Sequence, residues 1–174
     1  SDPSNQVALI DIAALAGLGS GTQVTMTTIG WDVTLETVGG SWLNEARFYF
    51  DDNIAPDLSG LFLTPGFGNG MPGLMTFASA GQIDLSDNGI PNIVLPNGIL
   101  RLEMNESFDD VADSIDAFWR GGFLYVGIAE IPTPGATALF GLAGLAGLRR
   151  RRASFKSGLT PESRRGPGIA GVAF

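Results

Sequence analysis

The 174-residue sequence contains no cysteine and no histidine. Their absence excludes disulfide stapling, thiolate or imidazole metal ligation, thiol and Ser-His-Asp catalysis, and a histidine pH switch. It also leaves the redox compartment unread, because oxidising and reducing environments both hold proteins without cysteine. Charge is sparse, at 16% of residues, and bases are scarcer than acids: ten Lys and Arg stand against 18 Asp and Glu. Lys156 is the only lysine, and the Gly pairs lie between strand-like segments rather than before a helix. A phosphate-cradling loop with its lysine is therefore absent from the sequence, and nucleotide binding is not expected.

What remains is enough for one core. A chain of this length suits a single domain with a short appendage, and a domain of about 150 residues buries roughly 70% of the surface its unfolded chain exposes. The net charge of −8 averages two unlike parts. Residues 1–148 carry 17 acids against Arg47, Arg101 and Arg120, a net of −14, whereas residues 149–174 carry seven bases against Glu162, a net of +6. An acidic body repels nucleic acid, which is not an expected partner. The start at Ser1-Asp2-Pro3 predicts a processed chain whose export signal lay upstream.

Between residues 6 and 130, apolar residues recur at every second position between Gly, Pro and Asn clusters, the signature of strands with one buried face. Trp31, Val33 and Leu35 alternate with Asp32, Thr34 and Glu36, and Ala46, Phe48 and Phe50 alternate with Glu45, Arg47 and Tyr49. Ile83 and Leu85, then Leu100, Leu102 and Met104, repeat the period; Val24 and Met26 add a weaker case. Residues 7–12, 61–63, 75–77, 93–95 and 123–129 are apolar runs of strand length, with turn signals such as Asn69-Gly70, Asn88-Gly89 and Asn97-Gly98 between segments. The expectation is nine or ten strands in an all-β, antiparallel, jelly-roll-like β-sandwich over residues 1–130. One short helix is expected from the capping pattern at Ser107-Phe108-Asp109-Asp110, with Val111, Ile115 and Phe118 or Trp119 on one face and Asp109, Asp113 and Asp116 outward, ending at Gly121-Gly122.

After residue 130 the order changes. Pro132-Thr133-Pro134-Gly135 precedes the apolar run of residues 136–148, which carries Leu139, Leu142, Leu145 and Leu148, and Arg149, Arg150, Arg151 and Arg152 follow. As a helix the run extends about 20 Å, short of the roughly 30 Å hydrocarbon core, and its basic end orients toward the cytoplasm. A core helix is the alternative for a run of this length, but four Arg and flanking prolines suit a buried helix end poorly. A basic, Gly- and Pro-containing tail fills residues 153–174.

This three-part order resembles the PEP-CTERM sorting signal of exported bacterial proteins. Two departures stand out: Thr133 replaces an acidic residue between the prolines, and 22 residues follow the Arg cluster where family members end soon after it. The resemblance implies an exosortase, a sorting protease in the membrane, as partner. It also implies cleavage near the Pro motif and a body secreted or fixed to the cell surface after a transient inner-membrane stage.

Candidate chemistry in the body is thin. Asp84, Ser86, Asp87 and Asn88 put oxygen ligands before Gly89, like the first half of a calcium loop, but Leu95 stands where an EF-hand needs Glu. A weak calcium site or a plain polar turn remains. Asp51-Asp52-Asn53 and the Asp109, Asp110, Asp113, Asp116 group could bind calcium, supply a glycosidase acid pair, or be solvated faces. Trp31, Trp42 and Trp119 would stack on sugars if exposed together and otherwise serve the core. The expectation is a non-enzymatic surface or extracellular-matrix structural protein, with no cofactor beyond that possible calcium. A filament or sheath subunit that keeps its tail for self-assembly, and a carbohydrate-binding module for extracellular polysaccharide, are the alternatives.

Overall fold

The computed structural model describes residues 5–57, 60–108, 114–131 and 169–173. The chain falls into two compact units, residues 1–129 with 167–174 and residues 130–166; the described residues, Glu130 and Ile131 apart, belong to the first. Ten strands run through the described residues: β1 (Gln6–Asp11), β2 (Val24–Thr37), β3 (Ala46–Asp52), β4 (Leu61–Leu63), β5 (Leu74–Ala78), β6 (Ile83–Asp84), β7 (Ile93–Leu95), β8 (Ile99–Glu106), β9 (Ala117–Glu130) and β10 (Ile169–Ala173). The protein is mostly β and its sheets are antiparallel, as alternation and short turns imply.

One sheet has the order β1-β8-β3-β4. Its alternation is regular: Phe48, Phe50, Leu100 and Leu102 are buried, with Ala8, Ile10, Leu61, Leu63 and Met104 packed against them. The register carries the rest to the opposite face, where Arg101 lies between Leu9 and Asp51, and Glu103 between Val7 and Tyr49. Arg101 and Glu103 pair there at 2.5 Å with side chains only 14% and 1% exposed. Asn5 Nδ2 donates to the other carboxylate oxygen at 2.8 Å.

The second sheet has the order β10-β9-β2-β5, and β6 and β7 also pair with β2. Strands β5, β6 and β7 follow one another along the 14 residues of β2, so three short segments together do the work of one long partner. Its buried residues are Val24, Met26, Ile29, Val33 and Leu35, which join those of the first sheet in one hydrophobic core. The step from Met26 to Ile29 is three residues, so the inward face slips by one where β2 changes partner from β7 to β6. Strand β9 slips likewise. Ala117 and Trp119 pack against the core, then Leu124, Val126 and Ile128 are buried, with Gly121-Gly122 at the change. Gly122 has φ 120°, and a Cβ there would collide with the Asp32 carbonyl of β2. Only glycine permits both the conformation and the approach.

The one α-helix among the described residues, α1 (Ile12–Leu15), follows β1 directly. Asp11 caps it by accepting from Ala14 N at 2.9 Å, and Ile12 N and Ala13 N donate to Gly98 O at 3.0 and 3.2 Å. Gly98 has φ 72°, and a Cβ there would strike Ala13 and the Thr22 carbonyl. The turn that carries the chain from β7 in one sheet to β8 in the other is thus shaped to receive the helix. The short helix expected over residues 107–119 is corrected: residues 109–113 lie outside the described ones, residues 115 and 116 are irregular, and from Ala117 the chain is strand. Phe118 and Trp119 read as helical spacing because two side chains on opposite strand faces, one of them apolar by packing and one lying under Arg120, mimic adjacent helix positions.

Candidate functional site

Strand β9 begins beside the exit of β2, where Val38 N donates to Asp116 O at 2.8 Å. Strand β8 ends at the entry to β3, where Ser107 N donates to Glu45 O at 2.9 Å. These strand ends, with the start of β1, enclose a cavity of about 420 Å3. Its apolar wall includes Leu35, Phe48, Met104 and Trp119, and its polar wall includes Asn5, Arg47, Asn105, Glu106, Ser114 and Asp116. The Trp119 ring lies against Phe48 with centroids 4.3 Å apart, and its Nε1 donates to Gly121 O at 2.6 Å.

Arg47 Nε and Asn105 Oδ1 are buried and have no hydrogen-bond partner among the described residues. The register sets Arg47 opposite Asn105 on the outer face of the first sheet, with the Arg47 guanidinium 5.5 Å from the Phe62 ring centroid, so these two unpaired atoms lie across the sheet from Phe48 and Trp119. On its inner side the site combines an aromatic wall with Ser114 and Asp116, a set suited to a neutral polyhydroxyl ligand. Of these residues, sequence reasoning singled out only Trp119 and Asp116. Arg47 carried a signal that went unused: it is one of three bases in the acidic body and sits inside a strand.

The other nominated residues are placed as follows. Asp84, Ser86, Asp87 and Asn88 do come together, in a turn that includes a 3₁₀ helix over Ser86–Asn88. Asp84 Oδ1 accepts from Ser86 N at 2.9 Å, Ser86 Oγ at 2.6 Å and Asp87 N at 3.2 Å, while Asn88 Nδ2 donates to the Asp84 carbonyl at 2.8 Å. Those bonds, Ser86 Oγ foremost, hold the Asp84 carboxyl below its ordinary value. Asp51 and Asp52 likewise organise their own turn: Asp51 accepts from Asp52 N and Asp57 N, and Asp52 from Ile54 N and Ala55 N. Among the described residues no group of three or more acids is placed to hold a metal ion.

The tryptophans do not form one row. Trp31 and Trp119 pack against the core, whereas Trp42 is 48% exposed beside Gly70 in a loop pair tied by Leu43 N to Met71 O at 3.0 Å. Phe67, 90% exposed, and Met71 stand on the same loops. Asp109, Asp110 and Asp113 lie outside the described residues, as do Pro132, Thr133, Pro134, Gly135, Leu139, Leu142, Leu145, Leu148 and Arg149, Arg150, Arg151 and Arg152. Among the described residues no helix is long and apolar enough to cross a membrane. No family model, curated protein or solved structure matches the chain.

Proposed function

We propose that this chain is a non-enzymatic structural protein of the cell surface or extracellular matrix, exported with a transient inner-membrane stage and sorted through residues 131–152. The observation that carries it is the order of the Pro132-Thr133-Pro134-Gly135 motif, the apolar run of residues 136–148 and four consecutive arginines, set after an acidic β-rich body. A division between compact units at Glu130, immediately before that motif, supports the same reading. So does the fold: the neighbours β1-β8-β3 in one sheet and β9-β2 in the other suit a jelly-roll-like β-sandwich, an architecture common in surface domains.

In this role the apolar run inserts but is too short to span securely, and the Arg cluster holds the basic end at the cytoplasmic face. Four arginines contribute about 1 kcal/mol each near an anionic surface. Neither part suffices alone, so the two act together to detain the chain where a membrane sorting protease works. Expression in an exporting bacterial host tests this. Replacing all four arginines by Ser sends unprocessed protein to the medium, and replacing Leu139, Leu142 and Leu145 by Asn abolishes membrane association. Sorting is refuted if both variants are processed and localised like the parent.

A second reading is favoured by the cavity. Its wall of Trp119 and Phe48, with Ser114 and Asp116 beside it, suits a hydroxyl-rich extracellular polysaccharide, which a matrix protein would meet. Titration calorimetry with neutral oligosaccharides, comparing the parent with Trp119→Leu, tests it; heat that is unchanged by the substitution counts against the cavity.

A further inference from the structure

Residues 123–129 of β9 read Phe-Leu-Tyr-Val-Gly-Ile-Ala, with no charge and no proline, between Arg120 and Glu130. Such a segment is hazardous at a sheet edge, because natural edges are blunted by charges, proline or bulges and an unblunted one templates pairing with another chain. One side of β9 is occupied by β2. The other is occupied by β10, which pairs antiparallel from Ile169 opposite Gly127 to Ala173 opposite Phe123. The protection of this edge is therefore supplied by five residues near the far end of the chain, beyond the Pro motif, the apolar run and the arginines.

We infer that β10 is a removable cap and that, in a chain whose body and C-terminal end lie in one aqueous compartment, a cut between Ile131 and β10 bares the β9 edge for pairing with the same edge of a second copy; this pairing stands independently of the sorting function proposed above. While β10 is covalently attached, its effective concentration at the edge is of millimolar order, so the cap outcompetes another copy at micromolar concentration. Once the connection is cut, the cap is a short free peptide and this advantage is gone. Covalent continuity is thus the switch.

The second copy fits the edge by its own sequence. An antiparallel pairing centred on Tyr125 places Phe123 opposite Gly127 of the other copy and Leu124 opposite Val126, with no charge in this paired segment and opposite charges, Arg120 and Glu130, bounding it at its two ends. The cap uses the same centre, with Gly171 opposite Tyr125. Phe123 and Tyr125 stack with centroids 6.3 Å apart, and Phe123 is half exposed. Residues directly opposite in a sheet share a face, so the two-fold pairing extends this stack into an aromatic ladder across the junction. Such a contact is isologous and closes as a dimer.

The test uses the full chain with a site-specific protease sequence in place of residues 132–135, cut in vitro after purification. Sedimentation velocity at micromolar concentration is expected to give a monomer before the cut and a dimer after it, with the C-terminal fragment lost on gel filtration. Excess synthetic peptide of residues 167–174 should return the dimer to monomer. Phe123→Lys should keep the cut chain monomeric with its β-type circular dichroism intact. A cut chain that has shed the fragment yet stays monomeric overturns the inference, as does a fragment that stays bound after cutting or a Phe123→Lys chain that still dimerises. Because the cut is made in vitro, the sorting function is judged separately, by the mass of the exported protein: an uncut exported chain whose in vitro product dimerises refutes sorting and leaves the cap standing.

Discussion

Replacing Glu103 with Ala removes the carboxylate that faces Arg101 on the side of the first sheet away from the core. The side chains are 1% and 14% exposed, Arg101 Nη1 has no hydrogen-bond partner among the described residues, and Asn5 Nδ2 also relies on Glu103. Removing one member of a fully buried ion pair costs about 3–5 kcal/mol, chiefly because the other charge is stranded. Partial solvent access to Arg101 lowers this to about 2–3 kcal/mol. For a chain of this size each kcal/mol moves the melting temperature by about 2–4 °C, so a fall of roughly 5–10 °C is expected. The informative comparison is the double substitution Arg101→Met with Glu103→Leu. Val7, Leu9 and Tyr49 are cross-strand neighbours, with Asp51 also opposite Arg101, so apolar replacements meet a setting apolar on all but one side, and the double variant is expected to be more stable than Glu103→Ala and within about 2 kcal/mol of the parent. Urea unfolding of the parent, Arg101→Met, Glu103→Leu and the double gives the cycle, with Glu103→Ala measured beside it. A single-variant loss below about 1 kcal/mol, or a double variant less stable than Glu103→Ala, refutes the reasoning.

Gly122→Ala forces a Cβ into the Asp32 carbonyl at φ 120° and is expected to cost about 3 kcal/mol or more by urea unfolding, whereas Gly68→Ala, at φ 81° in open space, costs about 1–2 kcal/mol. Arg120→Ala breaks an exposed ion pair with Glu36 and a contact over the Phe118 ring, and thermal melts should register less than about 1 kcal/mol. Asp11 and Asp84 are both held below the ordinary value of 3.8, Asp11 first by Ser20 Oγ and then by Ala14 N, Asp84 first by Ser86 Oγ. With the folded value below the unfolded one, their support is present above pH 3.8 and is lost as pH falls through the folded value. Asp11→Asn and Asp84→Asn should therefore flatten the acid limb of the melting temperature against pH, and carboxyl titration by NMR should place both groups low.

The mostly β, antiparallel character was legible in local order, because a strand with one wet face must alternate and glycine, proline and asparagine must mark its turns. Phe48 and Phe50, Leu100 and Leu102, Val33 and Leu35 all bury as their spacing requires. Strands β4 and β7 begin and end where their apolar runs do. The carboxylates of Asp51, Asp52 and Asp84 were legible only as clusters; whether they face outward or fold back on their own amides depends on turn geometry. The slips at Met26 to Ile29 and at Gly121-Gly122 could not be read, because such a slip is decided by what the partner strand presents and not by the strand itself. The helix expected near residue 115 fails over residues 114–121, where the chain is irregular and then strand. Tertiary structure alone decided that Phe48, Trp119 and Asp116 share a cavity, and that residues 169–173 close the edge of a strand that ends near residue 130. Both depend on register between segments far apart in the chain, and register is fixed by the combined burial of whole faces, which no single segment encodes.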